Sequence, residues 1–157
     1  MKIIFLDIDG VLNCQSMHTD KDDTIIGTMK GKISKRCLDS LNNLVEETGS
    51  KIVLSSTWRI DDDCEQYLYD IGLKAEIIGK TPHLGKYSLR GNEIRAWIMD
   101  NYDLIGKYDH EFHSYIILDD DSDMLLWQKD NFFHCDAYSG LTPNIAYKAK
   151  RFLNRFN

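Results

Sequence analysis

The chain has 157 residues, 43% hydrophobic and 28% charged, a balance that excludes a disordered or fibrous protein and fits one globular domain over 1–157. Its formal net charge of −6 argues against a broad nucleic-acid-binding face while leaving room for a local basic patch. No stretch approaches the roughly 18 apolar residues of a membrane helix, and one Lys before a strand-length apolar run is not a secretory signal. Cys14, Cys37, Cys64 and Cys135 are widely spaced with no CxxC pair, which reads as reduced thiols of a cytoplasmic protein rather than a zinc site or disulfides.

The chain begins KIIFLDIDGVLN. Ile3 to Leu6 form a short apolar run with β-branched and aromatic members, a buried strand. It ends in Asp7-Ile8-Asp9-Gly10. Two like charges 4 Å apart in a partly desolvated place repel by roughly 4 kcal/mol, so a cation or a chemical task is expected to offset them. Gly10 lets the backbone turn sharply and approach a ligand closely.

Cys14 to Lys32 is polar and lacks clear periodicity, and reads as a loop or flap (14–32) over the end of the first strand. Ser34 is an N-cap for a helix carrying Cys37, Leu38, Leu41, Leu44 and Val45 at helical spacing, stopped by Gly49. Lys51 to Leu54 is a second buried strand, ending in Ser55-Ser56-Thr57-Trp58-Arg59. A helix is expected over 61–71, a short strand over 75–78, and a loop over 81–89 with Pro82, Gly85 and Lys86. Arg90-Gly91-Asn92-Glu93 leads into a helix with Ile94, Trp97 and Ile98 inward. Ser114 to Leu118 is a strand running directly into Asp119-Asp120-Asp121-Ser122-Asp123. A short helical segment over 124–127 and a strand over 131–135 follow. Thr142-Pro143 starts the last helix, with Ile145, Ala149 and Phe152 on its buried face.

Alternation of strand and helix implies a parallel sheet with helices on both faces, a three-layer Rossmann-like α/β fold. Each polar cluster follows an apolar run, so the clusters meet at the carboxyl edge, where such sheets bind ligands. Asp7, Asp9, Asp119 and Asp120 would then form a hard, oxygen-rich site that suits Mg²⁺ better than zinc. His110 and His113 precede a strand and are expected on the surface at the opposite edge. His134 is expected in the core or at a sheet edge, and Trp58, Trp97 and Trp127 in the core.

DIDGVLN resembles the first motif of the haloacid-dehalogenase-like (HAD) phosphohydrolases, DxDG after an apolar strand. The resemblance implies Asp7 as nucleophile, forming an aspartyl-phosphate, and Asp9 as general acid then base, with the backbone carbonyl of Asp9 a metal ligand. An Asp at this second position fits phosphatases. Ser55 matches the second motif as a phosphoryl hydrogen-bond donor, with Ser56 and Thr57 as alternatives. Arg59 is equally readable as a substrate contact or a surface residue. The third motif needs a cation, for which Arg90 is favoured over Lys86 and Lys80, Arg90 reaching a phosphate held near its helix N-terminus. The last motif, a strand ending in DD or in Asp with a second Asp four residues on, is met by Asp119 with either Asp120, which is favoured, or Asp123.

VLSSTWR, RGNEIRAWI, IILDDDSDM and GLT further resemble a HAD group found with RNA-repair proteins and the phosphatase half of polynucleotide kinase–phosphatases. No separate cap domain fits this length, and an open site admits large substrates. The resemblance therefore implies a Mg²⁺-dependent phosphomonoesterase acting on nucleic-acid 3′-phosphate ends or nucleotides. A small-molecule phosphatase (5′-nucleotidase or sugar phosphatase) and a non-catalytic phosphate-binding or interaction module are the rival readings.

Overall fold

In chain order, the computed structural model contains β1 (Ile3–Leu6), a hairpin of β2 (Ile25–Thr28) and β3 (Gly31–Ser34), α1 (Lys35–Thr48), β4 (Lys51–Leu54), α2 (Cys64–Asp70) and β5 (Ile77–Lys80). α3 (Arg90–Asp100), α4 (Tyr102–Ile105), β6 (Tyr115–Asp119), β7 (Phe132–His134) and α5 (Pro143–Leu153) follow. The structure describes residues 1–105 and 114–156, and His110 and His113 lie outside them.

The main sheet is parallel, in the order β5-β4-β1-β6-β7. β1 is central, and all four of its residues are buried, which explains its unbroken apolar run. The period of two divides the side chains between two cores. Ile4, Leu6, Ile52, Leu54, Ile116 and Leu118 pack with α1, α2 and α5 on one face. Ile3, Phe5, Val53, Tyr115 and Ile117 pack with Ile94, Trp97 and Ile98 of α3 on the other. This is the expected Rossmann-like α/β arrangement, and no separate cap is evident among the described residues.

Helix ends follow their local chemistry. The Ser34 hydroxyl accepts from Cys37 N at 3.2 Å, and Gly49 ends α1 in the left-handed region at φ 67°. Thr142 caps α5 from in front of Pro143.

Four stretches differ from expectation, one being the short helical segment expected over 124–127, which is a 3-10 turn over Leu126–Asn131. The helix expected over 61–71 is shortened to α2 and preceded by a 3-10 turn over Thr57–Ile60. There Asp61 Oδ1 accepts from Asp63 N at 3.1 Å, a local bond that competes with the helix. The strand expected over 75–78 lies two residues later, because β5 follows β4 to Leu54↔Lys80 through a register shift between Ile52 and Val53. The stretch 14–32 is not structureless. It holds a 3-10 turn over Gln15–His18 and most of the β2–β3 hairpin. β2 is largely exposed, so it has no alternation of apolar residues to announce it. Among the described residues, no helix is long and apolar enough to cross a membrane.

Candidate active site

Sheet register assembles the site. The last paired row across the three inner strands is Leu54, Leu6 and Leu118. One residue further on each strand gives Ser55, Asp7 and Asp119. Their placement is held by Ser55 N donating to Leu6 O and Asp7 N donating to Leu118 O, both at 2.9 Å. By the period of two, these three side chains fall on the α3 side of the sheet. β1 connects onward to one side of the sheet, and β6 to the other, so Asp7 and Asp119 flank the point where strand order reverses.

Carboxylate oxygens of Asp7, Asp119 and Asp120 lie within 4.8 Å of one another. Asp7 is 5% exposed and Asp119 1%. Burial pushes the Asp7 carboxyl up to about 6, against the pull of Arg90 and a hydrogen bond from Ser56. Burial and then the Asp7 charge push Asp119 up to about 8. Burial also raises Asp120. Asp119 Oδ2 is buried and makes no hydrogen bond among the described residues. Crowded, desolvated carboxylates with an unsatisfied oxygen are a donor set that fits a hard divalent cation such as Mg²⁺. Gly10, at φ 74°, completes the cradle. A Cβ there would overlap the Asp120 carboxylate.

The cation beside this cluster is Arg90. Its Nη2 lies 3.9 Å from Asp7 Oδ1 and its Nε 3.5 Å from Asp119 Oδ2, and its Nη1 donates to the Ser55 carbonyl. Lys80 instead pairs with Glu65 at 3.3 Å. Lys86 is exposed, with its ammonium 5.8 Å over the Tyr87 ring. The Ser55 hydroxyl is fully buried and makes no hydrogen bond among the described residues. Ser56 contacts Asp7 and also accepts from Trp58 N at 3.3 Å.

Several expectations need correction. Arg59 is not a surface residue. It is 6% exposed, and its guanidinium donates to the carbonyls of Ser55, Ser56 and Thr81 and to Glu93 Oε2 at 2.7 Å. Its donors are therefore spent on fastening the loop after β4 to α3. The N-terminus of α3 does not present free amides to a phosphate. Asp123 takes them, Oδ2 accepting from Arg90 N at 2.8 Å and the backbone oxygen from Gly91 N at 3.3 Å. Asp120, rather than Asp123, is the residue whose carboxylate groups with those of Asp7 and Asp119, while Asp123 Oδ1 is buried with no hydrogen bond among the described residues. His134 lies on edge strand β7, one of the two places expected for it, exposed, with Nε2 2.8 Å from Asp120 O. Trp97 is core as expected, in edge-to-face contact with Phe5, whereas Trp127 is 45% exposed and Trp58 only half-buried.

The Asp9 carboxylate stands outside the cluster. It accepts from Asn13 Nδ2 at 2.6 Å and from Trp58 Nε1 at 3.1 and 3.2 Å. The Ile8 carbonyl is committed to the turn, accepting from Val11, Leu12 and Asn13 N. Asn13, Trp58 and Glu93 are site residues that sequence reasoning passed over. The available signal was proximity: Asn13 falls within DIDGVLN and Trp58 three residues past Ser55.

Residues 3–146 match the family described as the HAD domain in Swiss Army Knife RNA repair proteins. The chain belongs to that HAD family. A comparison with curated proteins finds no match. HAD membership makes the site one of phosphohydrolase type, and the three clustered aspartates of this HAD domain agree with the general use of Mg²⁺ by such proteins.

Proposed function

We propose that this HAD domain is a Mg²⁺-dependent phosphomonoesterase that works through an aspartyl-phosphate on Asp7 and acts on phosphorylated nucleic-acid ends. The observation that carries the reading is the row Ser55, Asp7, Asp119, with Arg90 against both carboxylates. Asp7, Asp119 and Asp120, with the Asp9 carbonyl, would hold the ion. Bound there, Mg²⁺ would offset the charge of the carboxylates and of a phosphate oxygen.

The chain's own groups account for the rest. An Asp7 oxygen forms a bond to phosphorus as the ester P–O bond breaks, and Asp9 gives its proton to the departing oxygen. In the second step Asp9 takes a proton from water, the water oxygen bonds to phosphorus, and the Asp7–phosphorus bond breaks. Arg90 and the Ser55 hydroxyl stabilise the charge on the transferring phosphoryl group. Glu93, 4% exposed, lies 2.7 Å from Arg59 Nη2 and 3.4 Å from Arg90 Nη1, which fixes where the Arg90 fork points.

The nucleic-acid substrate class is supported by the family's description as a domain of RNA repair proteins and by an open sheet edge, with no separate cap evident among the described residues. The test is phosphate release, with and without Mg²⁺, from 3′-phosphorylated oligoribonucleotides, 5′-nucleotides and sugar phosphates. The reading predicts Mg²⁺-dependent release, fastest from the oligonucleotides. Preference for a free nucleotide or sugar phosphate would move the substrate class to small molecules. No release from any of them would leave a binding module.

A further inference from the structure

The two carboxylates of DIDG are held by different means. Asp7 is fixed by strand register, whereas Asp9 is exposed on the turn after β1 and depends on neighbours for its orientation. One neighbour spans a long way. The Trp58 indole N–H reaches both Asp9 oxygens, at 3.2 and 3.1 Å. The opposite edge of the same ring lies against the hairpin, where a Cβ on Gly31 would overlap Cη2, Cζ3 and Cζ2. Tyr67 braces that contact. Its hydroxyl donates to Gly31 O and accepts from Thr28 N at 2.8 Å, and its ring centroid is 6.3 Å from that of Trp58. The indole is thus wedged between the β2–β3 hairpin and Asp9.

We propose that Trp58 is a positioning residue for Asp9, and that the β2–β3 hairpin sets its place through Gly31. The inference rests on the phosphomonoesterase reading and deepens it by giving the hairpin a role in protonating the leaving group. An N–H shared by both carboxylate oxygens fixes the plane of the carboxyl, and Asn13 holds it from a second direction. An acid turned away from the ester oxygen would fail with leaving groups that need a proton. In the first step it would matter little for 4-nitrophenolate, which departs as a stable anion, while release of the phosphoryl group from Asp7 needs Asp9 with either substrate.

Two variants disturb the arrangement at opposite edges of the ring. Trp58→Phe keeps an aromatic ring and removes the donor. Gly31→Ala keeps the donor and displaces the ring, at a position outside the left-handed backbone region. Each is expected to lose about ten-fold or more in the single-turnover rate of leaving-group release from an alkyl phosphate such as a 3′-ribonucleotide, and about three-fold or less in that rate from 4-nitrophenyl phosphate. The double variant should lose no more than the worse single one, because both break the same link. Equal losses on the two substrates, or no loss on either, would overturn the proposal.

A second readout needs no turnover. In ¹⁵N-labelled protein the Trp58 indole N–H resonance, identified by its disappearance in Trp58→Phe, should shift in Asp9→Ala and in Gly31→Ala. A resonance unmoved by both changes would also overturn the proposal. The kinetic panel includes wild type and Asp7→Asn on 4-nitrophenyl phosphate. Absence of Asp7-dependent hydrolysis there sinks the phosphomonoesterase reading itself, while the resonance still decides whether the indole holds Asp9.

Discussion

The two sides of the site are built in contrasting ways. On the α3 side, Asp7, Ser55 and Asp119 occupy one sheet row, all buried, beside Arg90. On the hairpin side, Asp9 is exposed and held by Asn13 and Trp58. The first arrangement comes from hydrogen-bonded strands and does not move without breaking the core. The second comes from side chains on a turn and a loop. The contrast suits the chemistry proposed, in which the attacking group and the phosphoryl group need fixed geometry while the leaving group varies with substrate.

The comparison breaks most severely at Asp7. Asp7→Asn should abolish hydrolysis of every phosphomonoester alike, a loss on the order of 10⁴-fold or more in kcat, measured by phosphate release. Loss confined to substrates with poor leaving groups would instead give Asp7 the part assigned to Asp9.

Next comes the pair of aspartates that the sequence left open. Asp120→Asn should raise the Mg²⁺ concentration giving half-maximal activity by about ten-fold or more. Asp123→Ala should leave that midpoint within about two-fold while costing about 1 kcal/mol of stability in urea unfolding, as loss of a helix cap does. The reverse pattern would exchange their roles.

The two arginines sharpen the comparison further. Arg90→Lys keeps the charge but loses the fork that meets Asp7, Asp119 and the Ser55 carbonyl, and should reduce kcat by about 10²-fold with little change in unfolding midpoint. Arg59→Ala strips the nearest cation from buried Glu93 and should cost about 3 kcal/mol in the same unfolding measurement.

Much of the α3 side was legible in the sequence. Apolar runs ending in Asp7, Ser55 and Asp119 mark strand ends, and a parallel sheet brings strand ends together. Arg90 was legible as a cation at a helix start. Asp120 and Asp123 could not be told apart by spacing, because their difference lies in the path of the loop between β6 and the turn at Leu126–Asn131. Gln128 holds that loop by accepting from Leu125 N and donating to Gly91 O. The burial of Arg59 was not legible because its partner Glu93 is 34 residues away, and burial of a charged group depends on such a partner. The hairpin side was hardest to read. Trp58 meets Gly31 and Asp9 only once the exposed hairpin has folded back along the sheet edge.

The smallest expected effect concerns pH. In metal-free protein, Asp7 and Asp119 keep their protons to about 6 and about 8, above the usual carboxylate range. Between that range and those values the folded state binds more protons than the unfolded, so metal-free stability falls as pH rises. Mg²⁺ should therefore raise the melting temperature more at pH 8 than at pH 5, which a thermal scan at the two pH values checks. An equal rise at both would show that these carboxylates do not hold the ion.

The most direct test of the central claim is to stop the reaction half-way. Asp9→Asn should still accept a phosphoryl group from 4-nitrophenyl phosphate, which needs no acid, but release it slowly for want of a base. The account predicts that the acid-quenched protein gains the mass of one phosphoryl group, that peptide mapping puts it on Asp7, and that the Asp7→Asn/Asp9→Asn double variant lacks it. Slow hydrolysis by Asp9→Asn with no protein-bound phosphoryl group, or with the group on another residue, would contradict it.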